Sequence, residues 1–185
     1  MERYFLAALQ MTPGIGQVRI KSLLDYFGSA QQAWQASRRD LFFSGCLGET
    51  VCNNFCKHRE KIDVELLAVG WKKRGLGVCL LSDSMYPELL RNIYDPPLVL
   101  YYKGELPKND KLIAIVGTRT ASAYGKNAAG YFAAGLASTE FWVVSGAARG
   151  IDTAAHQGAL KTGKTIAVLG CGIDVVYPPE NAKLL

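Results

Sequence analysis

The sequence contains little of what membrane anchoring or disulfide cross-linking requires. No apolar run approaches the length that spans a bilayer, and no small-residue cleavage site follows the apolar N-terminal stretch. The 5 cysteines are an odd number without regular spacing, which argues against a secreted disulfide framework. The sequence therefore predicts a cytoplasmic protein that does not contact a membrane.

A strong excess of one charge is also missing. The chain has 21 Lys and Arg against 16 Asp and Glu, a formal net charge of +5, which permits nucleic acid as a partner without requiring it. Hydrophobic residues make up 49% of the chain, enough to bury an ordinary core and to exclude a disordered protein.

Groupings of catalytic or metal-ligating residues are sparse. With only 2 histidines, the sequence offers no Ser-His-Asp arrangement, and its spacing indicates no pair of catalytic carboxylates. A short segment holds Cys46, Cys52, Cys56 and His58, but their spacing matches no familiar zinc pattern, so buried thiols are the favoured interpretation. The residue spacing therefore indicates no catalytic grouping, and we expect neither a metal nor a cofactor.

The first part of the chain is predicted to be helical and to form a small domain over residues 1–70. Apolar residues recur there every three to four positions over 4–11, 18–27, 30–36 and 51–71. The turn Thr12–Gly16 separates two of these segments, as in a helix-hairpin-helix, with Arg19 and Lys21 nearby. Such a turn either contacts a DNA phosphate or only packs helices, and the sequence favours neither.

A second domain is predicted over residues 71–185, where the apolar pattern changes. Short apolar runs at 78–81 and 98–102 predict strands, and the following segments alternate as strand, helix, strand, helix and strand over 112–116, 123–137, 142–145, 151–160 and 165–169. This alternation predicts an α/β fold with a parallel sheet covered by helices. Because a doubly wound sheet usually has more strands, we expect its C-terminal half to lie beyond Leu185.

Each predicted parallel strand ends in glycine, and two of the following loops carry an arginine. Ligands of open α/β sheets bind outside the carboxyl ends of the strands, where glycines allow backbone amides to approach a phosphate. Tight turns and surface arginines would explain any one loop, but three such loops at one edge predict an anion pocket. The candidate phosphate-binding residues are Gly117, Thr118, Arg119, Ser145, Gly146, Arg149, Gly150, Ile151, Asp152, Lys164, Gly170 and Gly172.

Two nucleotide-binding patterns are set aside because of their context. Residues 158–165 fit the phosphate-loop pattern, but they end a predicted helix and lead into a strand, the reverse of a true phosphate loop. Gly170 and Gly172 follow a strand but lack the third glycine of a dinucleotide site. A capping or packing role is the default interpretation of His156, and Asp152 has a structural explanation as a carboxylate that stabilises the dipole at a helix start.

With these residues in view, the chain resembles the DNA-processing protein A (DprA, or Smf) family. Four ordered blocks carry the resemblance: Tyr86 to Leu90 with Asp95 to Gly104, Ile115 to Arg119, Ser145 to Leu160, and Gly163 to Asn181. Membership implies a sterile-alpha-motif-like helical domain joined to an extended Rossmann-like domain. It also implies that Arg119 and the loop 145–152 line a basic DNA pocket.

The resemblance implies that the protein is not an enzyme and functions as a recombination mediator. Members bind single-stranded DNA entering the cell during natural transformation, protect it, and load RecA onto it. They do so as homodimers, and the dimer surface and later strands are expected beyond Leu185. The alternative is an enzyme that binds or hydrolyses nucleotides on a Rossmann-like fold.

Overall fold

The computed structural model describes residues 1–107 and 111–184. Packing divides the chain into two compact units, Met1–Leu106 and Pro107–Leu185. Among the described residues, no helix is long and apolar enough to cross a membrane. Each unit has its own apolar core.

The first unit consists mainly of helices. Its elements are α1 (Glu2–Gln10), α2 (Gln17–Phe27), α3 (Ala30–Gln35), α4 (Arg38–Phe43), α5 (Glu49–Arg59), α6 (Val64–Lys73), β1 (Leu76–Leu80), α7 (Glu88–Arg91) and β2 (Val99–Lys103). Its core gathers α1, which is buried along most of its length, with Ile20, Leu23 and Phe55. The edge-to-face contact of Trp34 with Phe55, with ring centroids 5.3 Å apart, closes this core.

The prediction of one helical run over 51–71 is wrong, because two helices occupy it. The Asp63 carboxylate accepts hydrogen bonds from the amides of Glu65, at 2.9 Å, and Leu66, at 3.0 Å. An aspartate at this position satisfies the free amides of a helix start, so the chain begins a new helix there. The apolar period continues across the break between the two helices. Periodicity alone therefore does not predict this break.

The strands β1 and β2 pair antiparallel, with Leu76 opposite Lys103 and Leu80 opposite Val99. Val78 and Val99 are buried in the same core as the N-terminal helices. The first unit therefore extends to Leu106, past the change from helices to strands at which the sequence prediction ended the helical domain.

The second unit has the predicted βαβαβ order. Its elements are β3 (Leu112–Ala114), α8 (Ala123–Ser138), β4 (Trp142–Ser145), α9 (Ile151–Ala159), β5 (Thr165–Ala167) and a 3-10 turn at Pro179–Asn181. The strands are parallel in the order β3-β4-β5, which confirms the predicted parallel α/β arrangement. Residues 158–165 run from the end of α9 into β5, so the phosphate-loop context is reversed as predicted.

Glycines set the packing of the two helices that follow β3 and β4. A Cβ atom at Gly158 of α9 would overlap the carbonyl oxygen of Gly130 on α8. A Cβ atom at Gly163 would lie 2.5 Å from the carbonyl oxygen of Ala137. The helices α8 and α9 therefore approach each other backbone to backbone, and buried alanines such as Ala133 and Ala155 fill the space beneath them.

Candidate functional site

The loops after β3 and β4 meet at the carboxyl edge of the sheet, and glycines allow them to do so. Gly150 has a φ of 83°, and a Cβ atom there would overlap the carbonyl oxygen of Thr118. A Cβ atom at Gly117 would lie 2.7 Å from the Ile151 side chain. The Ile151 amide donates to the Thr118 carbonyl at 3.2 Å, so a hydrogen bond joins the start of α9 to the loop after β3.

The contact between these two loops leaves the Arg119 side chain exposed to solvent. The backbone of Arg119 packs against Gly150, while its side chain is exposed. Within the described residues, its guanidinium has no hydrogen-bond or ion-pair partner. A fixed backbone with an unengaged guanidinium is an arrangement that suits a phosphate oxygen arriving from solution.

Ser145 and Asp152 shape the second loop from inside. The buried Ser145 hydroxyl donates to the carbonyl oxygen of Ile115 at 2.7 Å, which ties β4 to β3. The Asp152 carboxylate accepts from the Ala148 amide at 3.3 Å, and a Cβ atom at Gly146 would lie 2.8 Å from the same carboxylate. These residues hold the loop in place, and their side chains are turned away from solvent.

His156 lies beneath this loop and is 1% exposed. The Thr165 hydroxyl donates to the Val143 carbonyl at 2.6 Å, so it must accept from His156 Nδ1, which lies 2.7 Å away. The other ring nitrogen, Nε2, is buried without a partner in the described part of the chain. Burial lowers the pKa of His156, against opposing effects of Asp152 and the Ser145 backbone, which favours the neutral ring. Through Thr165 this ring links α9 to β5.

Arg149 is engaged by a residue that the sequence analysis missed. The Glu180 carboxylate accepts from both Nε and Nη2 of Arg149, the second at 3.2 Å. The hydrogen bonds raise the pKa of Arg149 and lower the pKa of Glu180. Of the two predicted arginines, Arg149 is thus already paired with a carboxylate in this structure.

Asn181 anchors the segment that brings Glu180 to the loop. Its buried side-chain amide donates to the Ala147 carbonyl at 2.9 Å and to the Thr153 hydroxyl at 2.8 Å. Asparagine after a proline turn was the signal in the sequence, but nothing local indicates which loop it contacts.

The remaining predicted residues divide between the two ends of the sheet. Gly170 and Gly172 follow β5 at the carboxyl edge, where a Cβ atom at Gly170 would meet open space. Lys164 precedes β5 and lies at the opposite end, with its Nζ 4.8 Å from the ring centroid of Trp142. The structure therefore gathers the loops 117–119 and 145–152 and separates Lys164 from them.

The helix-hairpin-helix turn of the first unit is formed as a turn. Gly14 has a φ of 84°, and Gly16 is the N-cap of α2. Arg19 donates to the Gly14 carbonyl, and Lys21 lies 3.4 Å from Asp95, so both nearby cations have partners inside the unit. All 5 cysteines are free, and the described residues contain no group of three His, Cys, Asp or Glu that could hold a metal.

Comparisons with known proteins place the chain among the DNA-processing proteins. Residues 77–185 match the profile of the family described as DNA recombination-mediator protein A. Protein Smf of Synechocystis sp. is 33% identical over 189 residues, which cover 99% of this chain and 47% of that protein. DNA processing protein DprA of Streptococcus pneumoniae is 47% identical over 110 residues, which cover 56% of this chain and 37% of that protein.

A solved structure matches the entire chain. The X-ray structure of DNA processing protein A (DprA) from Streptococcus pneumoniae superposes with a TM-score of 0.74 at 35% identity, covering 100% of this chain and 63% of that one. The chain spans less than half the length of the curated relatives named above. This match confirms the predicted fold class, a helical N-terminal part followed by a Rossmann-like parallel sheet.

Proposed function

The chain belongs to the DNA recombination-mediator protein A family, and from this premise we propose that it binds single-stranded DNA through the carboxyl edge of its parallel sheet. The observation that supports the proposal most strongly is Arg119. Its backbone is held against Gly150, and its exposed guanidinium has no partner within the described residues. Contacts of this kind are made to phosphates and carry no base sequence information.

The wider role we propose follows the family. The complete protein protects incoming single-stranded DNA in the cytoplasm and loads RecA onto it during natural transformation, acting as a homodimer and not as an enzyme. In this proposal the predicted pocket residues of the loops 117–119 and 145–152 form the phosphate-binding floor. Ser145 and Asp152 act by shaping the loop, and Arg119 makes the direct contact.

Substitution of Arg119 by Ala tests the proposal. Hydrogen bonds to charged groups contribute about 1.5–3 kcal/mol, so we expect roughly 10-fold or greater weakening of binding to a fluorescent oligothymidylate. Arg119→Lys keeps the charge but loses the paired hydrogen-bond donors of the guanidinium. Its affinity should lie between the affinities of the unsubstituted chain and Arg119→Ala. Fluorescence anisotropy at fixed salt measures the affinity.

Lys111→Gln is the control, because it removes one positive charge from the opposite end of the sheet, where Lys111 pairs with Glu140 at 3.0 Å. An affinity unchanged by Arg119→Ala would overturn the assignment of the site. Release of free base from nucleoside monophosphates by the chain would instead favour a nucleotide-hydrolysing enzyme.

A further inference from the structure

A groove runs between α8 and α9, and we infer that it continues the DNA path away from Arg119. The inference rests on the proposed function and names where the next phosphates and bases of the strand bind. The groove has a volume of about 760 Å³ and lies entirely within the second unit. Arg119, Arg149 and Glu180 line one end, and Lys161 lines the other.

The close approach of the two helices forms the floor of the groove. Gly130 and Gly158 both line it, and neither places a side chain in it. Because α9 spans Ile151–Ala159, the groove runs along a helix of about 14 Å, a length that accommodates several nucleotides of a strand. A small anion would contact one end only, whereas a polymer of phosphates matches the whole groove.

The charges along the groove are suited to a polyanion. Lys126 lies near the start of α8 and Lys161 follows the end of α9, and both side chains are exposed. Neither lysine has a hydrogen-bond or ion-pair partner in the part of the chain that the structure describes. Together with Arg119 they place unengaged cations at both ends of the groove, while its carboxylate, Glu180, is occupied by Arg149.

One wall of the groove also offers a ring on which a base can stack. Tyr131 lines the groove and is 78% exposed, and its ring makes an edge-to-face contact with Phe132 at a centroid distance of 5.8 Å. Stacking on aromatic rings beside a cationic track is how proteins bind single strands without base preference. The neighbouring Phe132 is similarly exposed, at 62%, but does not line the groove.

Charge-neutral variants of the 185-residue chain test the inference. Lys126→Gln, Lys161→Gln and the double variant are compared with Lys111→Gln by anisotropy, using an oligothymidylate of about 16 nucleotides. The slope of log affinity against log salt is negative, and each lost phosphate contact should reduce its magnitude by about 0.7, with twice that reduction in the double variant. Lys111→Gln should leave the slope unchanged.

Photo-crosslinking gives a second readout of position. An oligonucleotide carrying 5-iododeoxyuridine should crosslink to Tyr131. The product should be lost in Tyr131→Ala but retained in Tyr124→Ala, which removes an exposed tyrosine of α8 that does not line the groove. Two results together would overturn DNA binding in the groove: salt slopes of both groove lysine variants equal to that of Lys111→Gln, and no crosslink to Tyr131. The proposed function would still stand if Arg119→Ala weakened binding. If the chain binds no oligonucleotide, both are overturned.

Discussion

Glu180 is the residue on which the charge of the site depends. It is exposed, it hydrogen-bonds Arg149, and it lines the same groove as Arg119. A carboxylate there neutralises one cation and repels a phosphate that approaches the other. The buried amide of Asn181 fixes its position independently of charge, which allows the two roles to be separated.

Glu180→Gln should tighten binding to single-stranded DNA. The substitution keeps the shape of the side chain, removes the repulsion and frees the Arg149 guanidinium for a phosphate. We expect roughly 2- to 4-fold higher affinity and a steeper salt dependence, corresponding to about one added phosphate contact. Anisotropy titrations between about 50 and 200 mM salt measure both.

Asn181→Ala is the contrasting variant. It removes the hydrogen bonds to Ala147 and Thr153 without changing the charge. If it also raises the affinity, the gain seen with Glu180→Gln comes from a looser backbone around Glu180 and not from the lost charge. Weaker binding by Glu180→Gln would show that the pair orients Arg149 for the ligand and does not compete with it.

At the scale of elements, the contact between α8 and α9 depends on the absence of side chains. The carbonyl of Gly130 occupies the place where a Cβ atom of Gly158 would lie. Gly135, also on α8, has open space in that direction. Of these two glycines, Gly158 has no space for a Cβ atom and Gly135 does.

Gly158→Ala should destabilise the chain by about 1–3 kcal/mol, because the helices must move apart to admit the methyl group. Gly135→Ala should instead stabilise it by roughly 0.5–1 kcal/mol, the ordinary preference of a helix interior for alanine over glycine. Urea denaturation followed by circular dichroism measures both changes. Equal effects of the two substitutions would contradict the close approach.

At the scale of the whole molecule, the two units differ in the quality of their cores. The first buries Phe55, Trp34 and several leucines, whereas the main cluster of the second consists of Ala133, Ala137, Val143, Ala155 and Ala159. Alanine contributes little apolar area, so the second unit gains less from burial. Val116 and Val168, both near the carboxyl edge of its sheet, are 69% and 60% exposed.

We therefore expect the second unit to open more readily than the first. Hydrogen exchange followed by mass spectrometry should show faster exchange in peptides from β4 and α9 than in peptides from α1 and α2. The difference reports local opening free energy, which is low where few apolar groups are buried. Equal protection of the two units would mean that core composition does not govern their stability.

Local patterns were sufficient to predict the parallel strands, the intervening helices and the loops that carry Arg119 and Arg149. Strand and helix periods are properties of adjacent residues, and a parallel sheet places every strand end at one edge. The same reasoning missed the break at Asp63, because the two capping hydrogen bonds to its carboxylate outweighed an unbroken apolar period. It also included Lys164, whose position before β5 already indicated the opposite end of the sheet.

What the sequence alone determined about this protein is the α/β architecture, the family resemblance and the edge of the sheet at which an anion is predicted to bind. Only the tertiary structure decided which cations are available there. Pairing of Arg149 with Glu180, and the placement of Lys126 and Lys161 along one groove, join residues that are distant in the chain. Such pairings depend on how loops and helices meet in space, and no local propensity encodes that.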